Sequence, residues 1–236
     1  MKKSKDLSCQ ECPEGFRSFI ENLDTADLRY LNEQKLPMFI KKGQVIFEEG
    51  KQPQGIYCLR EGKIKIYKNS FDGREQITRV VFPGELMGLK AMLSGHPYSV
   101  SSAAMEDASL CFINKKDFFQ LMLKYPDFTR SIIISLSRLL EQAEFRMISL
   151  AHKPVKERLA ETLLFLNRSF HATAPSHPRP YLNLTRTDLA NIIGTAPETV
   201  IRLLSEFREL ELIEIRGRKI YIINAPRLKI MANNQA

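Results

Sequence analysis

The chain has 236 residues, 44% hydrophobic and 26% charged, with a formal net charge of +8 at pH 7. That length allows two domains with separate cores, and no apolar run approaches the roughly 18 residues that a membrane span requires. Four cysteines are too few for a disulfide framework, and the polar start with Lys2, Lys3 and Lys5 lacks the apolar run of a secretory signal. A cytoplasmic chain with no membrane partner is therefore expected, its cysteines kept as thiols or metal ligands.

In chain order, residues Ile40 to Ile113 read as short strands: Val45-Ile46-Phe47, Ile56 to Leu59, Lys63 to Tyr67, Gln76 to Phe82 and Leu110 to Ile113. Glu49-Gly50, Glu61-Gly62, Asp72-Gly73 and Pro83-Gly84 supply the turns between them. In Lys63 to Tyr67, apolar side chains alternate with lysines, which puts one strand face inward and one in water. A small antiparallel β-barrel follows.

Beyond Pro126 a helix is expected to run to about Lys153, since no Gly or Pro interrupts it. Ile133, Leu136, Leu140, Ala143, Met147 and Leu150 alternate three and four residues apart, the spacing of a dimer seam. A helix packed on its own domain is the alternative. Lys153-Pro154 opens a second amphipathic helix through Phe170, with Leu159, Leu163 and Leu166 on one face, and Ala172 to Pro180 reads as a loop. His171 and His177, at this loop, are poor metal ligands.

The charge excess lies toward the C-terminus. From Lys153 onward there are 13 Lys or Arg against 8 Asp or Glu, a net of +5 that suits a polyanion. Thr185 to Asp188 has the form of a capping box, Leu189, Ile192 and Ile193 form a buried face, and Gly194 ends that helix. Pro197 then opens a helix to Leu210, with Val200, Leu203, Leu204 and Phe207 inward and Glu198, Ile201 and Arg202 outward. Such a pair can lay its second helix in the major groove of double-stranded DNA. There Arg202 can donate to guanine and Glu198 can accept from cytosine. A surface ion pair between them is the alternative. Leu212 to Ile215 and Ile220 to Ile223 form a hairpin around Arg216-Gly217-Arg218-Lys219, a wing with three positive charges for phosphates.

With these parts assembled, the chain resembles the CRP/FNR family of bacterial regulators over nearly its whole length. The resemblance implies an α+β fold: an N-terminal cupin-like β-barrel of the cyclic-nucleotide-binding type, a long dimerisation helix and a C-terminal winged helix-turn-helix. The expected bounds are 1–125, 126–152 and 153–236. Thr185 to Phe207, above all Glu198 to Arg202, is similar to the family's recognition motif for a TGA core in each half-site. The implied DNA-contacting set is Thr185, Arg186, Thr195, Pro197, Glu198, Thr199, Ile201, Arg202, Arg216, Arg218 and Lys219. Ala196 departs from the usual hydroxyl cap and Ile201 from a smaller residue.

The resemblance also implies an effector loop, here Gly84, Glu85, Leu86, Gly88, Leu89, Tyr98 and Ser99. Leu89 stands at the family's ribose-binding Glu, and Tyr98-Ser99 at its phosphate-binding Arg-Ser pair, so cAMP is not expected to bind in the family's way. Ser94 to Pro97 and Leu110-Cys111 are closer to the oxygen-sensing FNR branch. Cys9, Cys12 and Cys111 fall where that branch keeps three of four ligands to a four-iron, four-sulfur cluster, while Ser18 occupies the fourth place. Cys58 lies in a strand far along the sequence, and Cys58 and Cys111 each read first as small buried hydrophobes. Where oxygen-sensing members carry a carboxylate in the seam, Ala143 stands here, so dimerisation without a ligand is expected.

The expected function is transcriptional control by a homodimer on a palindromic site, with RNA polymerase as a further partner and an unidentified effector or redox signal at the barrel. The alternative is a small-molecule-binding barrel whose basic domain contacts a protein. No enzyme is expected: no Ser/His/Asp arrangement or phosphate-cradling loop is present, and Glu106-Asp107 reads as a solvated turn.

Overall fold

The computed structural model describes residues 8–71, 73–173 and 181–233, the side chains of 170–173 excepted. Lys2, Lys3, Lys5 and His177 lie outside the described residues. Two compact units form, one from residues 78–141 and the chain up to Lys68, the other from residues 69–77 and the chain from Gln142.

The first unit opens with a 3₁₀ turn, Cys9–Glu11, then α1 (Glu14–Ile20) and α2 (Thr25–Gln34). Eight strands follow: β1 (Leu36–Ile40), β2 (Val45–Phe47), β3 (Gly55–Glu61), β4 (Ile64–Asn69), β5 (Glu75–Val81), β6 (Leu86–Met87), β7 (Ser101–Ala104) and β8 (Ala108–Asn114). Helix α3 (Leu89–Ser94) lies between β6 and β7, and α4 (Lys115–Lys124) and α5 (Pro126–His152) come after β8. The strands form two four-stranded sheets, in the orders β1-β8-β3-β6 and β2-β7-β4-β5. That order is a double-sheet jelly roll, the architecture of cupins.

Its core explains the alternation read in β4. Ile64 and Ile66 turn inward beside Phe47, Leu59, Val81 and Leu110 between the sheets. A second core gathers Phe16, Ile20 and Leu31 of α1 and α2 with Phe118, Phe128 and Ile132 of α4 and α5. The sequence reading passed over β1, whose Pro37 is tolerated because β1 is an edge strand. It also missed β6, which is two residues long. Glu106 and Asp107 are not merely solvated. Glu106 pairs with Lys63 at 2.5 Å and Asp107 with Lys41 at 2.7 Å, pinning the turn before β8.

In the second unit, α6 (Val155–Thr173) buries Leu159, Leu163 and Leu166. It reaches Thr173, so Ala172 and Thr173 are helical where a loop was expected, and the rest of that expected loop, 174–180, lies outside the described residues. After it come β9 (Leu182–Asn183), α7 (Arg186–Ile193), α8 (Pro197–Glu209), β10 (Ile213–Arg216), β11 (Lys219–Ile222) and α9 (Ala225–Ala232). The last strands make a three-stranded sheet, β10-β11-β9. Two corrections follow. The hairpin is one residue out of the expected frame, with Arg216 facing Lys219 as its closing pair and only Gly217-Arg218 in the turn. Strand β9, too short for a pattern, was missed.

Helix α5 is continuous over 27 residues. Of the seam positions, Ile133, Leu140, Met147 and Leu150 are 57%, 61%, 64% and 44% exposed. Ala143 is exposed too. Leu136 is the exception, since it packs partly against the core of its own unit. Ile134, Phe145 and Ile148 are also exposed, so the apolar surface is wider than one heptad stripe.

Candidate nucleic-acid interface and buried thiol cluster

The turn between α7 and α8 is built by local chemistry. The Asp188 N–H donates to Thr185 Oγ1 at 2.9 Å, and the Thr185 hydroxyl donates to Asp188 Oδ2 at 2.6 Å, a complete capping box. Gly194 closes α7 at φ 68°, a conformation that side chains resist, and a Cβ there would lie 3.3 Å from Leu150. Helix α8 begins at Pro197 behind Ala196, which supplies no side-chain cap. Val200, Leu203, Leu204 and Phe207 are all buried, as the periodicity requires.

The opposite face of α8 carries Glu198, Ile201 and Arg202, all exposed. Among the described residues neither Glu198 nor Arg202 has an ion-pair or hydrogen-bond partner, so the surface ion pair considered from sequence does not form. Thr195, Pro197 and Thr199 are half-buried around the helix start. Thr185 has its hydroxyl committed to the cap, and burial lowers the pKa of the half-buried Arg186. In the wing, Arg218 and Lys219 are exposed, Lys219 lies 4.1 Å over the Tyr181 ring, and Arg216 donates from Nε to Glu214 at 2.6 Å. Only part of the expected wing charge is thus uncommitted.

Sequence reasoning missed Arg158. Its Nε donates to the Ile193 carbonyl at 3.0 Å, Nη1 to those of Lys153 and Leu150 at 2.9 and 3.4 Å, and Nη2 to that of Gly194 at 3.4 Å. One guanidinium therefore ties the end of α5 to the turn that aims α8. The signal was a charged residue one turn into an amphipathic helix, which sequence alone cannot separate from a solvated one.

In the jelly roll, the candidate effector residues have different surroundings. A cleft of about 380 Å³ is lined by Phe47, Lys51, Gln54, Tyr57 and Tyr98 among others, so Tyr98 alone of the proposed set reaches it. Tyr98 stacks on Phe47 with ring centroids 4.1 Å apart, and burial raises the pKa of its hydroxyl. Leu86 and Leu89 belong to the helical core, Glu85 pairs with Arg79 at 3.1 Å, and Ser99 Oγ accepts from Lys90 Nζ at 2.5 Å. Gly84 and Gly88 hold left-handed turns, and Gly84 lets the backbone of Gly15 approach. These positions offer a cyclic phosphate neither the guanidinium nor the carboxylate of the family pattern.

All four cysteines are buried, between 0% and 3% exposed. Cys58 on β3 faces Cys111 on β8 in register. The Cys9 thiol neighbours Cys12, that of Cys12 neighbours Cys58, and the Cys58 thiol donates to the Leu59 carbonyl at 3.9 Å. The neighbouring Cys12 and burial raise the pKa of Cys9, the neighbouring Cys58 pushes that of Cys12 up to about 11, and burial raises that of Cys111. Cys58, read as remote from the CxxC turn, is therefore its neighbour. Ser18 is not: it is exposed, with its hydroxyl donating to the Gly15 carbonyl at 3.1 Å. The sulfur gathered here thus comes from Cys9, Cys12, Cys58 and Cys111, with Ser18 apart from it. As they stand, no three ligand-type side chains among the described residues are close enough to grip one ion.

A helix-turn-helix with an open recognition face, followed by a basic two-stranded wing, defines a DNA-binding regulator. Comparison with known proteins agrees. The cyclic nucleotide-binding domain model matches residues 37–125 and the Crp-like helix-turn-helix domain model matches residues 157–231. The transcriptional activator protein Anr of Pseudomonas protegens is 31% identical over 95% of this chain and 92% of its own. The fumarate and nitrate reduction regulatory protein of Escherichia coli is 31% identical over 97% of this chain and 91% of its own. Among solved structures, FixK2 from Bradyrhizobium japonicum shares the fold with a TM-score of 0.76 at 24% identity, covering 84% of this chain and 96% of that one. The chain belongs to the CRP/FNR family of transcriptional regulators. No helix among the described residues is long and apolar enough to cross a membrane.

Proposed function

We propose that the chain works as a homodimer that binds a palindromic site with TGA-like half-site cores. The observation that carries this reading is the pair Glu198 and Arg202, exposed, unpartnered and one turn apart at the start of α8. A guanidinium and a carboxylate in that setting can address guanine and cytosine edges in the major groove. Thr195, Thr199, Arg218 and Lys219 flank them for phosphate contacts. The exposed apolar surface of α5 supports the dimer, because a second copy would bury Ile133, Leu140 and Met147 and set two recognition helices one helical turn of DNA apart.

Acting on chromosomal DNA, the protein would work in the cytoplasm, with RNA polymerase as its partner at promoters. The jelly roll would supply the regulatory input, and its side chains favour a signal other than cAMP. Selection of bound sequences from random DNA tests the reading, followed by titration of Arg202→Ala. Specific binding should fall by about 1 to 3 kcal/mol while non-specific binding persists. If the selected pool shows no palindrome and Arg202→Ala leaves affinity unchanged, the basic domain contacts a protein instead.

A further inference from the structure

Register assigns each side chain of the wing sheet to one of its two faces. Leu182 and Ile220 face each other across β9 and β11 and are 0% exposed, so they point into the unit. Their neighbours Tyr181, Asn183, Lys219 and Tyr221 share the outer face, and Arg216 joins them as the partner of Lys219 across β10 and β11. Two rings and two cations meet there. The Tyr181 and Tyr221 ring centroids are 5.7 Å apart, Lys219 Nζ lies 4.1 Å from the Tyr181 centroid, and Arg216 Cζ lies 5.4 Å from that of Tyr221.

The two cations are held by different means. Arg216 Nε donates to Glu214 Oε1 at 2.6 Å, and that carboxylate offsets the charge it fixes. Tyr181 is a neutral ring, which attracts an ammonium through its quadrupole and offsets none of its charge. Lys219 is exposed, and among the described residues no carboxylate pairs with it. A lysine gives up rotamer freedom when its ammonium is fixed on a partner. The ring takes that loss before a phosphate arrives, and the N–H groups pointing away from it are left to donate. We propose that Tyr181 is a positioning residue for DNA binding: braced by Tyr221, its ring holds the fully charged Lys219 ammonium where the wing meets a backbone phosphate. This role rests on the DNA-binding reading of the wing and deepens it. Arg218, exposed in the hairpin turn, is not held by either ring and serves as the internal comparison.

The test titrates the full chain with two duplexes, one carrying the site selected from random DNA and one of scrambled sequence. Lys219→Gln should lower the slope of log K against log salt by about 1 on both, since a phosphate contact reads no sequence. Tyr181→Leu should keep the wild-type slope, because the charge remains, yet weaken binding roughly two- to fivefold, the range of a surface cation–π contact. Tyr181→Phe keeps the ring and should bind as the wild type does. In the Lys219→Gln background Tyr181→Leu should have no further effect, whereas with Arg218→Ala its effect should add in full. A Tyr181→Leu loss of equal size with and without Lys219 overturns the proposal and makes the ring a support of the wing alone. Should Tyr181→Leu not give the wild-type melting curve, nuclear magnetic resonance of the lysine-labelled wild type decides. Ring current should move the Lys219 ε-methylene protons upfield of the other lysines, and an ordinary position overturns the proposal. A wild type that binds neither duplex defeats the DNA-binding reading and this role together, while one that binds both without coupling between Tyr181 and Lys219 defeats this role alone.

Discussion

Gly194 and Arg158 show how single residues set the aim of the recognition helix. Gly194 adopts φ 68° with Leu150 in the space that a Cβ would enter. Gly194→Ala should therefore cost about 1 to 2 kcal/mol from the left-handed backbone alone, read as a lower melting temperature. Arg158 donates to four carbonyls at the end of α5 and in the α7–α8 turn. Arg158→Met keeps much of the apolar stem but leaves those carbonyls without it. It should weaken specific DNA binding even though Arg158 is outside the recognition face, and a titration matching wild type would show that the turn holds its own angle.

Among the elements, α2 and α4 are joined by a charged knot. Asp24 caps α2 through the Asp27 N–H at 2.7 Å, Lys124 reaches Asp24 and Asp27 at 3.1 and 2.7 Å, and the Tyr125 hydroxyl donates to Asp27 at 2.7 Å. The Asp27 N–H, Tyr125 and Lys124 hold Asp24 down at about 2, against an ordinary value of 3.8, and Lys124 and Tyr125 lower Asp27. A depressed carboxylate pKa stabilises the fold above the unfolded value and loses that effect as pH falls through the folded one. The melting difference between wild type and Asp24→Asn should thus be full above pH 3.8 and shrink toward pH 2. Both acids are near the surface, so the effect should also weaken in salt. Helix α5 gives a second prediction at this scale. Leu140→Glu puts like charges face to face in the proposed seam, and light scattering should then report a dimer for the wild type and a monomer for the variant.

At the scale of the whole molecule, the net charge of +8 is concentrated in the DNA-binding part. Counterion release then predicts that affinity falls steeply with salt, and neutralising one phosphate contact should reduce the slope of log K against log salt by about 1. Arg218→Ala should do so without changing the selected sequence, because a wing-tip arginine positions rather than reads. A changed consensus would move Arg218 into base readout.

How much of this was legible depends on how local each feature is. The cap at Thr185, the stop at Gly194 and the buried stripe of α8 are written within a few residues, and all were read correctly. The seam was read from periodicity, but Leu136 is partly taken by its own unit because a heptad pattern does not say which neighbour arrives first. For the effector loop, the sequence shows neither that Leu86 and Leu89 take part in core packing nor that Tyr98 lines a cleft, because both depend on how β6 and α3 dock. Cys58 was set aside for lying far along the chain, a distance that antiparallel pairing with β8 abolishes.

The sequence by itself determined the order of elements, the winged helix-turn-helix and the outward pair on α8, because helix caps, turns and amphipathic periods are short-range consequences of backbone geometry. Only the tertiary structure decided that Cys58 joins Cys9, Cys12 and Cys111 and that Arg158 clamps the recognition turn. Those contacts depend on strand register and helix docking, which are set by the collective packing of the core.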